Sequence, residues 1–512
     1  MLVVLGVLTV CAALTAVAFG AVVNDIPLRK DSRDRKAAYA AAEAGVNFYV
    51  SRMNQDNEYW AKCTTVPAPN ATEPSPVNQP WDGTGADPRQ SRLVPGGNAR
   101  YTVELLPAQG SQCLTSNPAG TMLDASTGTI RLRATGFAGC ASAATPLQSC
   151  NEKRSIIFTM RRKSFLDYLY FTNYETTDPA LYPTTSSQFT GCGGKYRAAR
   201  SGLGCREIQF SAADQLNGPM HTNDNILTCN GTTLGRPGKG DRLESVGIPG
   251  YTKICGATEP NLQSTFQAGV QNLPIPTNND KVSTVAVAPY ILTGTNTLVL
   301  NDTTITVTPL GQASYVVNMP ANGVIYVKPG AGCGPGVRQA VQDYSDPAGC
   351  ANVYVSGRYA KSLTIVSDKD IVIKGNITRA STNDLLGLIA TNFVRVQHKV
   401  TNRTIDPDGT NGTCTDDPTG TTNDLRIDAA ILSLKDSFIV DNYDCGGNLG
   451  TLTVSGAIAQ VYRGPVATTA PTGYTKAYNY DDRMKYRNPP YFLDPVSASW
   501  RVLRLTEQVP AR

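Results

Sequence analysis

Short apolar segments recur through residues 203–465, and they restrict the possible fold more than any other feature of the chain. Segments such as TLVLND, GVIYVKPG, SLTIVSD and GTLTVSG are separated by Gly, Asn, Asp or Ser, with almost no helical periodicity between them. Some apolar positions repeat about 20 residues apart, from Ile365 to Leu386 and from Ile431 to Leu452, as in a solenoid. We therefore predict a mainly β chain whose body is a right-handed parallel β-helix, with a β-sandwich as the alternative.

Residues Met1–Val23 contain no charged side chain. A run of roughly 20 apolar residues is long enough to span a bilayer as a helix. A cleaved signal peptide is the alternative, although its apolar core is normally shorter and follows basic residues. The run predicts a membrane anchor built from apolar side chains that include Leu2, Val3, Leu5, Leu8, Leu14 and Phe19.

The next segment, residues 24–60, is rich in Ala, Arg, Lys and Glu, which favour helix. Pro27 is expected to kink a continuous helix rather than end it. We predict one helix of about 55 residues, apolar in its first half and amphipathic in its second. Small and apolar residues recur along it at helical spacing, at Ala38, Ala41, Ala42, Gly45, Val46, Tyr49 and Met53.

An apolar run followed by a basic stretch and then the sequence AAEAG resembles the N-terminal region of PilX-like minor pilins. The residues that carry this resemblance are Arg35, Lys36, Ala41, Ala42, Glu43, Ala44 and Gly45. The segments 217–230 and 473–512 resemble elements of a bacterial family in which such an N-terminus precedes a β-helical body. The resemblance implies that small residues of the helix pack against other pilin helices in a filament.

Three strands are predicted after the helix, at residues 100–106, 128–135 and 153–161, because their residues alternate or are β-branched. A helix followed by three antiparallel strands is what a pilin head looks like. The predicted domains are therefore 1–60 for the helix, 61–175 for a pilin-like β-sheet head, 176–470 for the β-helix and 471–512 for a C-terminal cap.

Twelve cysteines lie outside the apolar run, which itself contains Cys11. An even number of cysteines indicates disulfides and an oxidising compartment, and no CxxC pair is present to indicate a zinc ribbon. We predict pairing of neighbours along the chain, with several free buried thiols as the alternative. The predicted pairs are Cys63 with Cys113, Cys140 with Cys150, Cys192 with Cys205, Cys229 with Cys255, Cys333 with Cys350 and Cys414 with Cys445.

The densest polar and aromatic cluster lies near the C-terminus. It consists of Tyr478, Tyr480, Asp481, Asp482, Arg483, Lys485, Tyr486 and Arg487. Its paired carboxylates are of the type that performs acid–base chemistry on a sugar. We favour a structural interpretation, in which the cluster caps the open end of the solenoid.

Little else in the sequence points to catalysis or to a metal. His221 lies three residues from Asp224, a spacing that we attribute to a turn in which Asn223 and Asn225 bond the backbone. His398 is flanked by basic residues and is predicted to lie at the surface. The acidic stretches 406–409 and 416–417 lack the full spacing of a calcium loop. We predict no catalytic residue, no metal and no cofactor.

A net charge of +5, from 46 basic and 41 acidic residues, is too weak to indicate nucleic-acid binding. We therefore expect a non-enzymatic, membrane-anchored, extracytoplasmic protein of the cell surface or pilus, which contributes to type IV pilus assembly or adhesion. Its expected partners are other pilins or pilus-assembly proteins and the membrane, with a glycan or host-surface ligand as a further candidate. The alternative is a membrane-anchored β-helix enzyme that acts on polysaccharide.

Overall fold

The structure, a computed structural model, describes residues 30–56, 58–63, 90–124, 127–142, 146–255, 258–333, 349–404, 412–469, 472–496 and 500–512. The predicted anchor residues Leu2, Val3, Leu5, Leu8, Leu14 and Phe19 lie outside these ranges. Within the ranges, no helix is both long enough and apolar enough to cross a membrane.

The helices are few and, apart from the first, short. They are α1 (30–55), α2 (Pro118–Met122), α3 (Ser187–Cys192), α4 (Arg197–Arg200) and α5 (Asp280–Ser283). Single turns of 3₁₀-helix occur at Tyr59–Lys62, Leu147–Ser149, Phe165–Asp167, Pro179–Leu181 and Asp482–Lys485.

Strands dominate the rest of the described chain. The first seventeen are β1 (Arg92–Leu93), β2 (Arg100–Leu106), β3 (Thr129–Ala138), β4 (Glu152–Arg162), β5 (Tyr170–Thr177), β6 (Gln215–Asn217), β7 (Met220–Thr222), β8 (Ile226–Cys229), β9 (Thr233–Leu234), β10 (Leu243–Ser245), β11 (Tyr251–Cys255), β12 (Asn261–Leu262), β13 (Phe266–Ala268), β14 (Ile291–Thr293), β15 (Asn296–Asp302), β16 (Thr304–Pro309) and β17 (Tyr315–Asn318). The others are β18 (Val324–Lys328), β19 (Val353–Tyr359), β20 (Leu363–Ser367), β21 (Ile371–Arg379), β22 (Leu386–Ala390), β23 (Val394–Val396), β24 (His398–Thr401), β25 (Thr415–Thr421), β26 (Arg426–Ile427), β27 (Ala430–Ser433), β28 (Phe438–Val440), β29 (Asn448–Arg463), β30 (Gly473–Tyr480) and β31 (Trp500–Gln508).

The chain divides into two compact units. The first, which we call the helix–sheet unit, comprises the described residues of Met1–Asp124, Thr129–Arg162 and Ser499–Arg512. It contains α1 and an antiparallel sheet with the strand order β1-β2-β3-β4-β31. The three strands predicted for a pilin-like head are therefore present as β2, β3 and β4.

The second unit, which we call the ladder unit, is the described part of Lys163–Ala498. Its main feature is a curled sheet of 22 strands. Within the described residues, the paired strands of that sheet run parallel, except that β16 is antiparallel to both β15 and β17. A β-sandwich is built from antiparallel sheets, so the ladder unit is not the β-sandwich that was predicted as the alternative.

Two parallel ladders run through the ladder unit. One stacks β14, β18, β20, β22, β27, the second half of β29, β5, β7, β10 and β13. The other stacks β15, β19, β21, β26, the first half of β29, β30, β6, β9 and β12. Strand β21 also pairs with β23, and β23 pairs in turn with β28. Strand β29 belongs to both ladders because it is long enough to turn from one face to the other.

Buried apolar side chains form continuous columns between these ladders. In the first ladder the column passes through Ile325, Ile365, Leu388, Ile431, Ile458, Tyr170, Met220 and Leu243. Each fully buried aliphatic side chain contributes about 1.5–3 kcal/mol through the hydrophobic effect. This column explains why short apolar segments recur along the sequence.

The predicted spacing of the coils was wrong in detail. Ile365 pairs with Leu388 rather than Leu386, and Ile431 pairs with Ile458 rather than Leu452. Each turn of the chain carries several inward-facing apolar positions, and the turns differ in length. Apolar spacing alone therefore does not identify which residues stack.

The predicted domain boundaries also differ from those of the two units. The N-terminal part of the helix–sheet unit ends at Arg162, whereas the predicted head extends to residue 175, and β5 is a strand of the first ladder. The predicted cap at 471–512 is divided, since β30 lies within the second ladder whereas β31 pairs with β4 in the helix–sheet unit. The sequences of β30 and β31 do not indicate the distant strands with which they pair.

Candidate functional site

All six predicted disulfides are present in the structure. The bonded pairs are Cys63 with Cys113, Cys140 with Cys150, Cys192 with Cys205, Cys229 with Cys255, Cys333 with Cys350 and Cys414 with Cys445. Disulfides persist in oxidising compartments and are rare where thiols are kept reduced. The protein therefore belongs to an extracytoplasmic environment.

The pilin-like motif lies on α1 with its small residues facing the sheet of the same chain. Ala41, Ala42 and Gly45 are buried, and a Cβ atom on Gly45 would lie 3.1 Å from the ring of Tyr101. Because small side chains allow backbones to approach closely, the motif fits the helix to its own sheet. The resemblance had assigned such residues to contacts between pilin helices.

The other residues of the motif are more accessible to solvent. Ala44 is half-buried, and Arg35, Lys36 and Glu43 are exposed. Arg35 forms an ion pair of 3.4 Å with Glu152 of β4. The polar face of α1 is thus the face that remains open to solvent or to a partner.

Asp481 and Asp482, the candidate acid–base pair, are each held by basic side chains. Asp481 accepts hydrogen bonds from Arg483 Nε at 2.8 Å and from Arg379 Nη1 at 3.1 Å. Asp482 accepts from Arg236 Nη1 at 2.8 Å and forms an ion pair of 3.0 Å with Lys485. These contacts fasten the 3₁₀ turn Asp482–Lys485 to neighbouring turns of the ladder unit.

The same contacts keep both carboxyl groups ionised. Burial would raise the pKa of Asp481, but the hydrogen bonds and charge of Arg483 outweigh burial and lower that pKa. The hydrogen bond from Arg236 is the main cause that lowers the pKa of Asp482, to about 2. A general acid needs a proton at its working pH, so neither residue fits that role.

The predicted cap over an open solenoid end was wrong, because the cluster lies inside the stack. Tyr478 pairs with Val454 on one side and with Leu216 on the other. Tyr480 donates a hydrogen bond of 2.6 Å to the carbonyl oxygen of Leu166. Tyr486, by contrast, is 70% exposed.

As predicted, Asn223 and Asn225 bond the backbone in the turn after β7, where their side-chain oxygens accept from the N–H groups of Leu273 and Gly250. His221 itself lies on strand β7 and is fully buried. Its Nδ1 lies 3.1 Å from Glu244 Oε2, and its Nε2 lies 3.1 Å from Asn223 Oδ1. Tyr168 donates a hydrogen bond of 2.6 Å to the same Glu244 oxygen. The structure separates His221 from Asp224, which forms an ion pair with Arg200 instead.

The environment of Glu244 is strongly basic, with Lys163 at 3.6 Å and Arg242 at 3.7 Å. Burial would raise the pKa of Glu244, but hydrogen bonds from His221 and Tyr168 outweigh it and lower the pKa to about 2. Glu244 is therefore a buried carboxylate whose hydrogen bonds and ion pairs are made within the fold. Such an arrangement stabilises the first ladder.

His398, predicted at the surface, is fully buried. Its Nδ1 lies 3.1 Å from the carbonyl oxygen of Asp441, and its Nε2 lies 2.9 Å from Asp416 Oδ1. The sequence prediction failed because neighbouring basic residues do not show which way a strand residue points. Residues 406–409 of the acidic stretch lie outside the described chain, and the described part contains no group of three His, Cys, Asp or Glu side chains placed to hold a metal.

Sequence reasoning missed a buried ionic network between β5, β7 and β29. Arg463 Nη1 donates to Glu175 Oε2 at 2.9 Å, and Thr172 donates a short hydrogen bond to the same carboxylate. Burial raises the pKa of Glu175, although Arg463 opposes the shift. The signal in the sequence was Glu175, which is the one charged residue of β5.

Sequence reasoning also missed a surface groove of about 310 Å³ on the outer side of the second ladder. Its floor contains Thr297 of β15 and Tyr354 of β19, which are paired neighbours, and Lys374 of β21. One wall is the end of β16 and the turn that follows it, and the other is the β24–β25 hairpin with Lys399 and Thr419. The groove is open to solvent, whereas the side chains of His221 and His398 are fully buried.

Comparisons with protein-family models, with curated proteins and with solved structures found nothing that matches this chain.

Proposed function

We propose that this protein is a non-enzymatic, pilin-like surface protein that contributes to type IV pilus assembly or adhesion. In this proposal the segment Met1–Val23 anchors the chain in the membrane, and the ladder unit is a right-handed parallel β-helix outside the cell. Connections between parallel strands are right-handed in nearly all proteins, which supports the assigned hand.

The observation that carries the proposal is the helix–sheet unit. Helix α1 presents Ala41, Ala42 and Gly45 to an antiparallel sheet, and the helix precedes that sheet in the chain. A long helix laid on an antiparallel sheet is the arrangement that the resemblance to PilX-like minor pilins implies. The six disulfides support an extracytoplasmic site of action.

The polysaccharide-active enzyme gains no support from its best candidate residues. Asp481 and Asp482 are held in ion pairs that lower the pKa of both carboxyl groups. The stable parallel stack instead provides a rigid body on which a binding surface can be displayed.

Cell fractionation tests the proposal. Pili are sheared from cells, and the sheared filaments and the washed membranes are probed separately with an antibody against residues 203–465. Detection in the sheared filaments supports a minor pilin, and detection in the membranes alone supports an anchored surface protein outside the filament. Detection in the cytosol with reduced thiols would overturn the proposal.

A further inference from the structure

The groove on the second ladder is built from rigid elements. Thr297 and Tyr354 lie on adjacent parallel strands, which are spaced by about 4.8 Å. Gln397, at the start of the hairpin wall, is buried and donates from Nε2 to the carbonyl oxygen of Gly420 at 3.1 Å. This bond joins the residue before β24 to β25 and so holds the two strands of the wall together.

Both charged side chains that line the groove are basic, although the carboxylate of Asp417 lies close enough to Lys399 to interact with its charge. Lys374 and Lys399 contribute to its lining, whereas the lining contains no Asp or Glu. Lys374 is exposed and forms no ion pair with any residue that the structure describes. The neighbouring Asp417 accepts hydrogen bonds from the hydroxyl and the backbone of Thr419, which are the main causes that lower its pKa.

The remaining lining groups are those that recognise sugars. Hydroxyl groups of Thr297, Thr308 and Thr419, the amide of Gln397 and the ring of Tyr354 lie along the same groove. Hydroxyls and amides both donate and accept hydrogen bonds, as a saccharide requires, and an aromatic ring offers an apolar face. Thr308, Thr419 and Gln397 already bond Ser314, Asp417 and Gly420, and a saccharide would use the donor and acceptor capacity that remains on these groups.

We propose that this groove binds a carboxylated saccharide, with Lys374 and Lys399 pairing with carboxylates and the threonine hydroxyls, Gln397 and Tyr354 contacting the sugar rings. The volume of about 310 Å³ is at the lower end of the range of ligand pockets, which suits a short stretch of a longer chain. The inference deepens the proposed adhesive role by naming a ligand class. It is nevertheless tested on purified protein, so its failure would leave the fractionation result unaffected.

The test measures binding of hexagalacturonate to the full chain in detergent by isothermal titration calorimetry. Maltohexaose provides a neutral saccharide of equal length, and polyglutamate provides a polyanion without sugar rings. We expect hexagalacturonate to bind more tightly than either. Equal binding of maltohexaose, or binding of polyglutamate at least as tight, would overturn the proposal.

Variants locate the binding in the groove. Lys374→Gln and Lys399→Gln should each weaken binding roughly three- to tenfold, since each removes a charged hydrogen-bond donor near the surface. Lys435→Gln removes an exposed lysine of the same unit outside the groove and should leave the affinity unchanged. Unchanged affinity in both groove variants would overturn the proposal.

A variant that fills the groove tests whether binding depends on the shape of the groove as well as on its charge. Thr297→Trp places a large ring on the groove floor without changing charge, and it should abolish binding of hexagalacturonate. Thr453→Trp makes the same change at another half-buried strand position that does not line the groove, and should not affect binding. Retained binding in Thr297→Trp, with the fold verified by circular dichroism, would place the ligand elsewhere.

Discussion

Gly136 of β3 faces the carbonyl oxygen of Ala38 in α1 so closely that a Cβ atom on Gly136 would overlap it. The backbone nitrogen of Ala42 lies slightly farther from that position but would also be overlapped, so the helix rests directly on the strand. Backbone atoms cannot move aside as the end of a flexible side chain can. This contact fixes the distance between α1 and its sheet.

Substitution of Gly136 by Ala should therefore lower the free energy of unfolding of the helix–sheet unit by about 1–3 kcal/mol, as overpacking does. Gly97→Ala is the matched control, because a Cβ there meets no other atom closer than 3.9 Å. Denaturant unfolding followed by circular dichroism measures both. Equal stability of the two variants would show that α1 does not rest on the sheet at Gly136.

Glu244 should make the ladder unit sensitive to acid. The folded-state pKa of Glu244 is about 2, below the usual value of about 4.3 in an unfolded chain. Its stabilising contribution is therefore fully present above pH 5 and is lost as the pH falls toward 2. Glu244→Gln should be less stable than the wild type at pH 7, and the difference should shrink as the pH falls through this window.

Thermal unfolding between pH 7 and pH 2 checks this expectation. Glu259→Gln is the control, because the Glu259–Lys253 ion pair is exposed and such pairs contribute little to stability. Its melting temperatures should follow those of the wild type across the range. A constant difference between Glu244→Gln and the wild type at every pH would contradict the assigned pKa shift.

Asp481 should matter for stability rather than for catalysis. Asp481→Asn removes the anionic partner of Arg483 and Arg379 and should cost about 1–3 kcal/mol of unfolding free energy. Asp482 is more exposed, with 49% of its side chain accessible, so Asp482→Asn should cost less than about 1 kcal/mol. If incubation with a panel of polysaccharides reveals any cleavage by the wild type, neither variant should change the products of that cleavage. Loss of a cleavage activity in a variant that stays folded would favour the enzyme instead.

The Cys414–Cys445 disulfide joins residues 31 apart in sequence and should contribute about 2–4 kcal/mol. Replacing both cysteines by serine removes that constraint on the unfolded chain, which lowers the melting temperature. The matched control is the double serine variant of Cys192 and Cys205, which are 13 apart in the same unit. The melting temperature of this control variant should fall less, because the loop that its disulfide closes is shorter. A larger loss in the control would show that local contacts, rather than loop length, decide the effect.

The sequence predicted the elements that depend on local chemistry. Strands β2, β3 and β4 carry alternating or β-branched residues, and all six disulfides join cysteines that are neighbours along the chain. The buried face of α1 was visible at Ala38, Ala42 and Tyr49 because helical spacing brings these residues to one side. In each case the information lies within a short stretch of sequence.

Contacts between residues that are distant in sequence could not be predicted from short stretches of the chain. The pairing of β31 with β4, the burial of His398 against Asp416 and the ion pair between Glu175 and Arg463 all join segments that meet only after folding. The groove is of the same kind, since Thr297, Tyr354, Lys374 and Lys399 come from four strands.

By itself, then, the sequence determined a mainly β chain with an alanine-rich helix and an extracytoplasmic, disulfide-bonded body, because strand propensity, helical spacing and cysteine pairing are local properties. Only the tertiary structure decided that Ile365 stacks on Leu388, that Asp481 is held by Arg379 and that two lysines share one groove. Stacking register depends on the lengths of the intervening turns and on which apolar side chains fill the core together. Those choices are made by the whole packed molecule and leave no signal in any single segment.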